Sequence, residues 1–126
     1  MSIEIPIDQL FAELHVWGSG FLATVGDDDR TRFVCLTPEV FQGDDPADGD
    51  AAMRFRRAGR TAAANIDARP NVSVVFPAHS GAGGYSLIVD GVATLRHIEL
   101  GVGAENVQEP VIDVRPTWAV LHRPAP

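Results

Sequence analysis

The sequence predicts a mostly β domain with minor α content, an antiparallel barrel or sandwich, and three observations carry that expectation. Short apolar runs recur along the chain, joined by links too brief for a parallel crossover, which needs about a dozen residues. Helical periodicity is confined to two places, residues 7–17 and the alanine-rich segment after Gly59. The chain has 126 residues, enough to bury a core and too few for a second one, so residues 1–126 are read as a single domain.

Taken in order, Ile7, Leu10, Phe11, Leu14 and Val16 or Trp17 lie near helical spacing, with Pro6 suited to the start and Asp8 in the first turn, where the helix dipole favours an acid. Gly18 and Gly20 end that helix. Residues 20–26, GFLATVG, read as a strand, Asp27 to Asp29 as a turn, and Thr31 to Val40 as the returning strand of a hairpin. Between Gln42 and Ala51, GDDPADGD reads as a surface loop; its acid spacing does not match a calcium-binding EF-hand.

The centre of the chain is MRFRRAGRTAAANIDARPNVSVVFPA, residues 53–78. It reads as strand, glycine turn at Gly59, a short helix capped by the Thr61 hydroxyl, a stop at Pro70 and a buried strand through Val72, Val74, Val75 and Phe76. A glycine-rich link, Ser80 to Gly84, leads to a strand over Tyr85 to Leu95, in which Gly91 marks a bulge or a close backbone approach. Gly101 to Pro110 reads as a loop and Val111 to His122 as a last strand interrupted by Pro116. That makes about six strands and two helices.

Charge narrows the function. Seventeen acids against ten bases leave a formal charge of −7, and every base is arginine. This balance disfavours nucleic acid, which calls for a broad positive surface, and the absence of lysine removes Schiff-base chemistry. Five of the ten arginines, Arg54, Arg56, Arg57, Arg60 and Arg69, fall in the central stretch. Guanidinium groups gathered beside a helix start suit one small phosphate or carboxylate; the plainer alternative is a solvated basic face.

Other chemistry is scarce. Cys35 lies in an apolar strand and is expected to be a small buried hydrophobe. His15, His79, His97 and His122 lack metal-ligand spacing, so no metal site is expected. Trp17 and Trp118 are expected in the core or at a subunit contact. No hydrolase, dithiol or phosphate-loop motif is present, and no apolar run reaches the roughly 18 residues of a membrane helix. With no secretory leader in MSIEIPIDQL, the expected compartment is the cytoplasm.

Together, GFLATVG, RTRFVCLTPEV, the central stretch, YSLIVDGVATL and IDVRPTWAVLHRP resemble the pyridoxamine 5′-phosphate oxidase-like superfamily over nearly the whole chain. The most specific piece is the helix ending in Ala-Arg-Pro-Asn-Val-Ser-Val-Val. The resemblance implies a homodimer of six-stranded antiparallel split β-barrels, with an N-terminal helix, a short helix between strands three and four, and flavin sites at the subunit contact. Carried over, the cofactor-binding positions are Arg32, Leu36 and Thr37 on strand two, Arg56 and Arg57 after strand three, and Arg60, Thr61 and Ala62 at the helix start. Thr37 and Ala62 stand where classical members have lysine, and the segments that bind vitamin B6 have no counterpart. The resemblance therefore implies an FMN-binding oxidoreductase acting on a small organic substrate. Alternatives are a reductase using the deazaflavin F420 and a cofactor-free dimer that binds a ligand or protein. No catalytic acid or base is assignable, and flavin chemistry does not require one.

Overall fold

The computed structural model describes residues 1–42, 51–99 and 107–124. Within them, eight strands and two helices follow in the order β1 (Ser2–Glu4), α1 (Ile7–Leu14), β2 (Gly20–Val25), β3 (Thr31–Leu36), β4 (Glu39–Gln42), β5 (Ala51–Arg56), α2 (Arg60–Ala68), β6 (Asn71–Phe76), β7 (Ser86–Glu99) and β8 (Gln108–His122). A single 3₁₀ turn, Ser80–Ala82, lies in the predicted glycine-rich link. All pairings are antiparallel, in the order β3-β2-β6-β7-β8-β5-β4, with β1 added to the far end of β8. The edges β3 and β4 do not pair with each other, so the sheet is not closed.

Six strands in a closed barrel are therefore corrected to eight in an unclosed sheet. One extra strand comes from Pro38, which has no N–H to give a ladder. The expected strand over Thr31 to Val40 breaks there, β3 pairing with β2 and β4 with β5. The other is β1, whose three residues are all exposed and carry no pattern of their own. β8 also begins three residues earlier than expected, at Gln108. Most of the predicted acidic loop and of the Gly101 to Pro110 loop lies outside the described residues.

The core is fed by period-two alternation. Leu22, Val74, Phe76, Leu87, Val89, Met53, Phe55, Ile112 and Val114 point inward, and α1 covers them with Leu10 and Leu14. α1 rests against β4, β5 and β8, while α2 lies against β2 and β7. Trp17 is buried beside Phe76. Cys35, expected inside, is exposed: it lies opposite Phe21 on the outward face of an edge strand.

Gly91 bears out both readings given for it. The β7–β8 register slips between Asp90 and Gly91, and a Cβ on Gly91 would stand 2.7 Å from the carbonyl oxygen of Arg115. Gly91→Val is therefore expected to destabilise the domain by about 1–3 kcal/mol, read as a lower urea midpoint at unchanged slope. Unaltered stability would show that the bulge relaxes freely.

Candidate functional site

The site is built around the turn between β5 and α2. Gly59 takes φ +92° as the N-cap of α2, a conformation that glycine alone adopts without strain. The expected Thr61 cap is not formed. The helix begins at Arg60, one residue before Thr61, so that Thr61 sits within the first turn and no side chain caps it. The N–H groups of Arg60, Thr61 and Ala62 thus have no bonding partner among the described residues, and the first turn contains no acid. A basic residue opens this helix where the dipole favours an anion.

The helix is held in place by one buried polar contact. Asn65 donates from Nδ2 to the Thr24 Oγ1 at 3.0 Å, and the two residues are 8% and 1% exposed. Sequence reasoning passed over both; a polar residue set in an alanine helix opposite an inward strand position was the available signal.

The five clustered arginines divide. Arg54 makes a two-pronged pair with Asp113, at 2.8 and 2.9 Å, and lies over the Phe41 ring. Arg56 donates to Glu39 and, at 2.8 Å, to Glu109. The Glu39 hydrogen bond is the main cause raising the Arg56 pKa above its ordinary value; lost hydration opposes it and Glu109 adds to it. One cation between two carboxylates projects no positive field toward a ligand. Arg69 pairs with Asp27 at 2.9 Å. Arg57, held at φ +61°, and Arg60 have no ion pair or hydrogen bond among the described residues.

Two hollows flank the turn. One, of about 240 Å³, is lined by Leu22, Thr24, Arg32, Phe33, Val34, Ala58, Thr61 and Ala62. The other, of about 410 Å³, lies toward β7 and β8 and takes in Arg57 and Arg60. The structure thus brings Arg32 and Thr61 to one side of the turn and Arg57 and Arg60 to the other. Arg32 is exposed and bridged to Asp28 at 3.1 Å, a contact open to water and therefore weak. Leu36 turns toward the core, and the Thr37 hydroxyl lies 2.7 Å from that of Ser19. Among the described residues, no group of three or more His, Cys, Asp or Glu stands close enough to hold a metal. No helix among them is long and apolar enough to cross a membrane.

No family model and no curated protein matches the chain. Solved structures do. A protein named for pyridoxamine 5′-phosphate oxidase from Listeria innocua is 17% identical, with a TM-score of 0.64 over 93% of this chain and 98% of its own. An FAD-binding protein from Mycobacterium smegmatis is 18% identical, with a TM-score of 0.60 over 95% and 96%. An F420 reductase is 20% identical, with a TM-score of 0.53 over 80% and 87%. At such identity the likeness is one of fold.

Proposed function

We propose that this chain, which has the split-barrel fold of pyridoxamine 5′-phosphate oxidase-like and flavin-binding proteins, is a homodimeric FMN-binding oxidoreductase for a small organic substrate. One observation carries the reading. The N-terminus of α2 offers three N–H groups unbonded among the described residues, with no acid in the first turn, and two of the residues that carry them, Thr61 and Ala62, line the same hollow as Arg32. Those donors fit a phosphate monoester.

In this reading the α2 amides and Thr61 hold the phosphate, and Arg32 exchanges its exposed Asp28 for it. The bound isoalloxazine supplies the electron or hydride transfer, while the protein orients it and keeps water away. The named structural relatives include both FAD-binding and F420-using proteins. FMN is preferred over F420 because the acidic tail of F420 would meet a chain of net charge −7.

The outer face of the sheet supports the dimer in this reading. One row across five strands runs Phe33, Ala23, Ser73, Asp90, Trp118, and the next runs Cys35, Phe21, Val75, Ile88, Val120. Phe33 is 64% and Trp118 41% exposed in the single chain. A second copy laid over these rows would bury them. Phe33→Glu with Trp118→Glu is expected to halve the mass seen by light scattering after gel filtration; a parent protein already monomeric at micromolar concentration would remove the dimer.

The test of the cofactor is a titration of purified protein with FMN, FAD and F420, followed by fluorescence. FMN is expected to bind best, and binding of none of the three would overturn the assignment. A second reading, a cofactor-free dimer, is favoured by the two lysine positions: Ala62 is buried and Thr37 is engaged with Ser19. The same titration separates the two.

A further inference from the structure

The hollow of about 410 Å³ on the other side of the Ala58–Gly59 turn is not used by the cofactor reading. Its wall is apolar, formed by Phe55, Ala58, Ala63, Leu95, Pro110 and Ile112, from β5, the turn, α2, β7 and β8. Its size is at the small end of ligand pockets, roughly 300–1,000 Å³. Arg57 and Arg60 also line it, and they are the two cluster arginines with no partner among the described residues. The acid on this lining, Glu109, is already bonded to Arg56. An apolar chamber is thus joined to two guanidinium groups that are unpaired among the described residues.

Backbone geometry adds to this. Arg57 is held at φ +61°, in the left-handed region, where an arginine is strained and a glycine would not be. A long cationic side chain is kept at this position against the local preference of the backbone.

We propose that this hollow binds a small apolar carboxylate, its hydrocarbon body against Phe55, Leu95 and Ile112 and its head group on the Arg57 guanidinium, with Arg60 adding charge. A planar, fixed cation suits a carboxylate through paired hydrogen bonds. The site does not depend on the flavin assignment, since no residue of the wall except Ala58 is shared with the Arg32 and Thr61 hollow.

The test uses octanoate and 1-octanol as probes, titrated calorimetrically into the full-length protein, with FMN as competitor. Octanoate is expected to bind at least about tenfold more tightly than octanol, because only the acid reaches Arg57. Arg57→Gly should erase that difference without lowering the melting temperature, since glycine relieves the strained φ. Ala63→Phe, which fills the chamber, should abolish both affinities. Equal binding of acid and alcohol, octanoate binding that survives Arg57→Gly, no octanoate binding at millimolar concentration, or displacement of octanoate by FMN would each overturn the proposal. Should Ala63→Phe fail to fold, the Arg57→Gly comparison decides alone.

Discussion

Thr61→Glu is expected to strengthen the fold while destroying cofactor binding. Thr61 is exposed and lies in the first turn of α2, which has no acid and no side-chain cap. A carboxylate there meets the positive end of the helix dipole and should stabilise the protein by about 0.3–1 kcal/mol. The same charge would face the FMN phosphate across a few ångströms, and like charges so placed cost about 3 kcal/mol, roughly a hundredfold in Kd. Thermal melting and flavin fluorescence read the two effects separately. A general loss of structure would lower both quantities together, whereas this account requires them to move in opposite directions. Weakened binding without a gain in stability would mean that the helix end is not the anion site as described. Unchanged binding would move the phosphate elsewhere.

The second large effect concerns the core. Phe55→Ala is expected to cost about 3–5 kcal/mol, because Phe55 is fully buried and its removal leaves a cavity that the surrounding strands cannot close. For a chain of this size that is a fall of on the order of 10–20 °C in the melting temperature. Phe55 stands opposite Ile112 across the β5–β8 ladder, and both side chains also floor the larger hollow. The loss should therefore spread from the core to the turn that carries Arg57. Calorimetric melting checks the magnitude, and a fall of only a degree or two would show that the β5–β8 layer collapses around the gap. Phe55→Leu, which keeps most of the volume, is expected to lose far less.

What the sequence made legible was local chemistry. The α2–Pro70–β6 passage, the β2–β3 hairpin, the Gly91 bulge and α1 up to Leu14 each depend on residues a few positions apart, and each is found where it was expected. What it hid depends on distant partners. β1 exists only because Ser2, Ile3 and Glu4 find His122, Leu121 and Val120 at the opposite end of the chain. Cys35 reads as buried from its neighbours and is exposed because β3 has a strand on one side only. The arginine cluster is the clearest case. Five cations close in sequence suggested one patch, but Glu39, Glu109 and Asp113 withdraw Arg56 and Arg54 from separations of 17, 53 and 59 residues. Of the five, Arg57 and Arg60 remain unpaired among the described residues, and the turn at Gly59 divides them from Arg32 and Thr61.

The most direct measurement compares FMN with riboflavin, which carries the same isoalloxazine and ribityl chain and lacks the phosphate. If the open end of α2 binds the phosphate, FMN should bind at least about a hundredfold more tightly than riboflavin, a difference of about 3 kcal/mol. The advantage should shrink as inorganic phosphate is added. Equal affinity for the two flavins would contradict the account, because recognition would then lie entirely with the ring and the helix end would have no part in it.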